Sequence, residues 1–330
     1  MAHWQFRLGG VLIAFATATA CGPATPTTAP KPHLPPPLQV TKDRNDGVLQ
    51  HVPKSCAGGR GYFNAQVLRG NAALAKSMLA FEERAIAGTH TKSDAEELAR
   101  FLRTMKDAAV SPSRDLQEVA VCAPARKEPV VVVGGAFGGK EVIPTVQATM
   151  RTVGVELQLH SSPSGDSGVG SWLSGKKHEG IYGHVAPNVL VWAKSKPMVD
   201  SVAAIEDRAA EWAIGPTDVL MVGIPGNEYS PKIEIHLRLS GEQATLDVVL
   251  ESGPKQSGSS PADMQKELRE GLDHLADQFA KGAFKPLADS ARNSKISIEG
   301  TRMHLTAAAK VEQFTATLDA LTLDNIGDWF

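Results

Sequence analysis

The sequence predicts an α+β protein built of two similar units, each an antiparallel sheet with helices packed on one face. Three observations carry this expectation. Short runs alternate apolar and polar residues with a period of two and pair across glycine-containing turns, as in 232–239 with 243–251 and 295–299 with 302–307 over Gly300. Between them lie apolar stripes with the helical period. The order strand, hairpin, helix, hairpin, helix occurs once within residues 48–215 and again within 216–330, with extra helices in the first pass. One continuous α+β domain without duplication is the competing reading of the same order.

Ahead of these elements stands a segment of another kind. Arg7 is followed by Leu8, Val11, Leu12, Ile13, Ala14 and Phe15, and then by alanines and threonines that end at Ala20. A charged start, a short apolar stretch and small residues form a secretory signal, 1–20. The stretch is far shorter than the roughly 20 residues a helix needs to cross a bilayer. Ala18-Thr19-Ala20 fits ordinary signal peptidase, but Cys21 and Gly22 come next.

Small residues directly before a cysteine at the end of an export signal resemble the lipobox of bacterial lipoproteins. That resemblance implies that Cys21 is acylated and becomes the new N-terminus, so the chain reaches the membrane through its lipid. Ala18 departs from the family's usual leucine, and plain secretion with a free Cys21 is the alternative. Gly22 lacks the aspartate that commonly retains such proteins at the inner membrane, which implies the outer membrane, facing periplasm or surface. In layout the chain resembles tether-bearing envelope lipoproteins of Gram-negative bacteria, of myxobacterial type, a resemblance that carries no activity. With Cys21 used, Cys56 and Cys122 remain as an even pair in an oxidising compartment and are candidates for one disulfide, against two separate buried thiols. A bridge there would set the strand after Cys56 antiparallel to the strand ending at Cys122.

The formal charge is −2, and removing 1–20 takes away Arg7 and no acidic residue. There is no basic field for nucleic acid. Residues 21–47 are rich in proline and threonine, cannot bury enough apolar surface to offset ordering, and read as an extended tether. Their Pro-x-x-Pro spacing would also suit an SH3-like partner.

In the first unit, 61–67 alternates Phe63, Ala65 and Val67 against Tyr62, Asn64 and Gln66, as a half-buried strand does. Leu74, Met78, Phe81 and Ala85 then mark a helix. Ser93 with Glu96 reads as a capping box opening a second helix that carries Leu98, Phe101, Leu102 and Met105. Residues 116–122 and 129–137 form a hairpin, and Val142, Val146, Met150 and Val153 stripe a helix over 139–153. A strand over 155–160 precedes a long Ser/Gly-rich loop and strands at 180–185 and 188–193. Pro197 opens a helix with Met198, Val202, Ile205, Ala209 and Trp212 on one side, with Asp200, Glu206, Asp207 and Glu211 as its hydrated face.

In the second unit a strand over 218–224 and the hairpin about Ser240-Gly241 precede a helix with Met264, Leu268, Leu272, Leu275 and Phe279 inward. The last hairpin is followed by a helix carrying Val311, Phe314, Leu318 and Leu321.

Motifs for chemistry are weak. Gly134 to Lys140 has the spacing of a phosphate-binding loop, but Glu141 stands where a magnesium-ligating hydroxyl belongs. Gly165-Asp166-Ser167-Gly168 resembles the surroundings of a trypsin-like nucleophile, without that family's histidine motif. His178, Glu179 and His184 are the nearest approach to a metal set, and solvent-facing histidines are the simpler reading. His160, His236 and His304 alternate with Leu159, Leu237 and Leu305 and are expected on the polar face of their strands. No catalytic residue, metal site or cofactor is expected. The loop from Gly223 to Pro231, with Asn227, Glu228 and Tyr229, is an exposed connection beside the second unit. These observations leave two readings of function: a non-catalytic envelope lipoprotein that binds a protein partner or serves structurally, or a carrier of an amphiphile, lipid or lipoprotein, in a sheet–helix cavity.

Overall fold

The computed structural model describes residues 47–326 apart from 53–55, 57, 124–128, 137–141, 153, 162–170, 176–180, 187, 204–211, 213, 229–230, 253–260 and 281. The signal, Cys21 and all of the tether but Gly47 lie outside the described residues.

Twelve described strands form one antiparallel sheet, in the order β11-β12-β10-β9-β8-β1-β2-β3-β7-β6-β5-β4. In chain order these are β1 (Gly59–Asn64), β2 (Leu116–Ala123), β3 (Val130–Gly135), β4 (Gln158–Ser161), β5 (Ser171–Ser174), β6 (Ile181–Ala186), β7 (Val189–Ala193), β8 (Asp218–Ile224), β9 (Lys232–Ser240), β10 (Gln243–Glu251), β11 (Lys295–Glu299) and β12 (Arg302–Lys310). The α+β class is as expected, but the sheet is single. Strand β8 pairs with β1, Phe63 opposite Leu220 and Tyr62 opposite Met221, so the ladder runs unbroken across the expected boundary at 215/216.

The helices are α1 (Ala65–Arg69), α2 (Ala72–Ala87), α3 (Ser93–Asp107), α4 (Pro112–Asp115), α5 (Val142–Thr152), α6 (Lys196–Ala203), α7 (Pro261–Phe279), α8 (Ala288–Arg292), α9 (Val311–Ala320) and α10 (Leu323–Ile326). On one face of the sheet Phe63, Val119, Val131 and Val219 pack under Leu74, Met78 and Phe81 of α2, Leu102 of α3 and Leu318 of α9. The other face is covered as well where the first half lies. Tyr62, Ala120, Val132 and Val191 pack against Val48, Val199, Val202 and Trp212. The expectation of helices on one face only is therefore corrected for this half, and Val130 to Val133 shows why: a strand buried on both sides reads as a continuous apolar run.

Other boundaries shift for local reasons. Strand β1 stops at Asn64, whose side chain accepts from the amides of Gln66 (2.9 Å) and Val67 (3.2 Å) and so caps α1; the alternation expected through Val67 loses to this cap. Helix α3 begins at Ser93 itself, one residue earlier than a capping box with Ser93 as the cap would place it. Lys92 is the N-cap residue and makes no side-chain cap, while Glu96 accepts from Arg103 at 2.7 Å. Strand β5 lies where only a loop was expected, with Leu173 fully buried. On β4 the two side chains take opposite faces as expected, but Leu159, opposite the fully buried Leu173, is left open at the edge of the sheet. Leu159 is 52% exposed, and His160 stacks on Trp172 at 5.3 Å and bonds Ser174 at 2.6 Å.

The bridge between Cys56 and Cys122 is present, with Cα atoms 5.1 Å apart, and β1 and β2 run antiparallel with Arg60 opposite Cys122.

Asp324 of α10 ties the last described turn to the start of α3. Its Oδ1 accepts from the amides of Thr91 and Lys92, both at 3.0 Å. The Lys92 amide, foremost, then Thr91, hold this carboxyl below the ordinary value of 3.8 against the opposing effect of desolvation. A carboxyl depressed in the folded state stabilises fully above its unfolded value and stops doing so as pH falls through the folded one. Protection of the Thr91 and Lys92 amides, relative to intrinsic exchange, should therefore fall on acidification below 3.8, and Asp324→Asn should remove that step. Hydrogen exchange followed residue by residue checks this.

Candidate functional site

In the second half the sheet has two unlike faces. Residues two apart on a strand share a face, and ladder partners continue it. Leu220, Val222 and Ile224 of β8 stand opposite Leu237, Ile235 and Ile233 of β9. Ile235 and Leu237 in turn stand opposite Val248 and Leu246 of β10. This aliphatic face is only half-buried over much of its length, and Ile224 at its outer end is 45% exposed.

At its inner end this face meets the helices around a cavity of about 190 Å³. The sheet contributes Leu220, Leu237, Leu239 and Ala244, the helix side Leu68 and Leu74. Phe279 from the end of α7, Phe284 and Phe314 of α9 close it, and the rings of Phe279 and Phe284 stack at 5.3 Å. An apolar cavity of about 150 Å³ stays dry and accepts benzene, and drug-sized pockets begin near 300 Å³. This space therefore suits one chain end or one small ring. The aliphatic lane from Leu220 and Leu237 to Ile224 and Ile233 leads outward to the exposed residues 224–228.

Helix α7 reaches the cavity through Phe279. Of its expected inward residues, Leu268, Leu272 and Phe279 are only half-buried, and the side chains of Met264 and Leu275 lie outside the described residues. Ala276 of the same helix is fully buried.

Two described lining residues are not hydrophobic, Arg238 and Thr317. Arg238 alternates with Leu237 and Leu239, and its guanidinium is engaged on the opposite, polar face. There its Nε donates to Asp218 Oδ1 at 2.9 Å and its Nη1 to Asp247. His236 stands 3.4 Å from Asp218 and His304 3.6 Å from Asp247, so these two histidines lie on the polar face as their alternation predicts. On the helix that carries Thr317, desolvation raises the Asp319 carboxyl above its ordinary value, with Arg84 and Lys76 drawing it back.

The motif-based candidates do not converge here. Gly135 donates its amide to Asn188 (3.0 Å) and Ala136 to Asp115 (2.7 Å), so these two amides serve the fold. Gly134 is required by packing: a Cβ there would meet Val48 at 2.7 Å. Residues 137–141, Asp166, Ser167, His178 and Glu179 lie outside the described residues, as do Ile205, Glu206, Asp207, Ala209 and Glu211. Asp200 pairs with Lys196 within α6. Among the described residues no set of three or more His, Cys, Asp or Glu could hold a metal ion, and no helix is long and apolar enough to cross a membrane.

The reading of the sequence did not single out the cavity lining. Its signal was faint: Thr317 follows Phe314 by three residues on the apolar stripe of α9, and Ala244 precedes the large aliphatics Leu246, Val248 and Leu250 on β10.

No protein-family model matches the sequence, and comparison with curated proteins finds no match. Among solved structures, crystal form III of TP0453 is similar at a TM-score of 0.44 and 11% identity, over 83% of this chain and 98% of that one. Crystal form I of TP0453 gives 0.41 and 12%, over 82% and 96%. Crystal form IV gives 0.38 and 11%, over 83% and 96%. The likeness is a distant one of overall arrangement.

Proposed function

We propose that this chain is a non-catalytic envelope lipoprotein, held at the membrane by acyl groups on Cys21, that binds a single-chain amphiphile in the cavity between the sheet of its second half and the helices. The observation that carries the reading is the apolar cavity of about 190 Å³ joined to an aliphatic lane that ends at an exposed isoleucine. A tail would lie along β8 and β9 with its end beneath Phe279 and Phe314, and its head group would reach water near residues 224–228. Transfer of a tail from water would supply about 0.8 kcal/mol for each buried methylene. A two-chain lipid exceeds the space.

The halves support a further reading as a repeated unit. The strand orders β1-β2-β3-β7-β6 and β8-β9-β10-β12-β11 follow the same path, each with a helix between its third and fourth strands in chain order. The extra strands β4 and β5 and the helices α1 to α4 belong to the first half alone.

Binding can be tested on the full chain bearing Cys21→Ser, which cannot be acylated and needs no detergent. Decanoic acid should bind it with a heat of association. Ala244→Leu should weaken that binding at least tenfold while leaving the melting temperature unchanged or raised, because the added side chain fills existing space. Absence of binding in the parent chain, or full binding by the Leu variant, would overturn the reading.

A further inference from the structure

Thr317 is 1% exposed and lines the cavity on α9, three residues after Phe314 and so on the same helix face. Its hydroxyl is sealed from solvent and has no hydrogen-bond partner. That is unusual for a threonine inside a helix, whose hydroxyl commonly turns back to a carbonyl of the preceding turn. Elsewhere in this chain helical threonines do so. Thr104 donates to Arg100 (3.0 Å) and Thr149 to Thr145 (2.7 Å), each to the carbonyl four residues earlier. For Thr317 the equivalent carbonyl, on Gln313, goes unused by this hydroxyl.

A buried hydroxyl without a partner is costly, and a methyl of the same shape would avoid the cost. Valine would supply it, fit the surrounding leucines and phenylalanines, and keep the volume. Because a helix allows threonine two side-chain rotamers, one step about χ1 exchanges hydroxyl and methyl on the wall. The other polar lining residue, Arg238, is committed to Asp218 and Asp247. An ionised ligand group would therefore find no counter-charge inside the cavity and would be expelled.

We infer that Thr317 is the specificity-determining residue of this cavity, selecting a single chain whose buried part bears one neutral hydrogen-bonding group, a hydroxyl or ketone, over the plain alkyl chain. The inference rests on the amphiphile-binding reading above and narrows its ligand class. A hydroxyalkyl or oxoalkyl tail completes the Thr317 hydroxyl, whereas an unsubstituted tail leaves it unpaired. A site that hydrogen-bonds a ligand discriminates strongly against the analogue lacking that group, because its own polar atom is then stranded.

The test compares decanoic acid with 3-, 6- and 10-hydroxydecanoic acid on the full chain carrying Cys21→Ser, with and without Thr317→Val. At least one hydroxylated acid should bind the threonine form roughly tenfold more tightly than decanoic acid, a preference of the size one hydrogen bond to an otherwise unsatisfied group supplies. In the valine form that preference should vanish while decanoic acid binds equally well or better, with the melting temperature showing an intact fold. Equal binding of all four acids to the threonine form would overturn the inference and leave amphiphile binding standing. So would a preference that survives Thr317→Val. Binding of none of the acids would remove the broader reading and this one with it.

Discussion

Replacing Cys56 and Cys122 together by alanine is expected to lower the free energy of unfolding by about 4 kcal/mol, the loop-closure value for a bridge of this span. The two cysteines are 66 residues apart, and the loop they close holds α1 to α4 and two central strands. The folded geometry does not depend on the bridge alone. Gly58 donates to Ala123 (2.6 Å) and Gly59 to Cys56 (3.0 Å), which keeps the segment beside β2 without it. Cys122 is fully buried between strands, so alanine is a gentler replacement than serine, which would bury a hydroxyl. The loss should therefore appear chiefly through the unfolded chain, as a lower denaturant midpoint with native circular dichroism retained. Reduction of the parent protein in denaturant should give the same difference. A change under about 1 kcal/mol would show that the unfolded chain is already compact around this loop.

Much of the architecture could be read from the residues, and the misreadings have physical causes. Clean alternation in 232–251 and 295–310 located two hairpins because one face there is polar and the other aliphatic. The turns were legible too, since Gly241 (φ 59°) and Gly300 (φ 60°) take up left-handed backbone. The middle of the sheet was harder. Tyr62 and Phe63 point to opposite faces, and both are buried because packed segments cover both sides, so period-two polarity disappears. The Tyr62 hydroxyl is polar, yet it is satisfied within the core by Glu118 at 2.6 Å and Asn64 at 3.0 Å, contacts no local pattern announces. The pairing of β8 with β1 joins segments more than 150 residues apart. Sequence order alone suggested separate units because it reports neighbours along the chain and not across it. The cavity escaped for the same reason. Leu68, Leu237 and Phe314 come from three distant segments, each of which looks like ordinary core.

The second large effect is expected at Asp218. Its side chain is 1% exposed and accepts from the Gly215 amide at 2.6 Å and from Arg238 Nε at 2.9 Å. Hydrogen bonds to a charged group contribute about 1.5–3 kcal/mol each, and breaking a fully buried ion pair costs about 3–5 kcal/mol. Arg238 is 41% exposed and keeps Asp247 as a partner, so part of its loss is recovered by water. Asp218→Ala should accordingly cost about 3 kcal/mol, near the lower end of the range for a buried pair. Asp218→Asn should cost less, because an amide oxygen can still accept from Gly215. Asp247→Ala should also cost less, because that carboxylate is more exposed, at 16%, although it too loses Arg238 and Thr306. Urea melts of the three variants would establish the order. The order matters for function as well, since Arg238 sits between Leu237 and Leu239 and fixes the strand that floors the cavity. If Asp218→Ala melts within 0.5 kcal/mol of the parent protein, the polar seam does not brace that strand, and its charges would have to be explained by something they meet from outside.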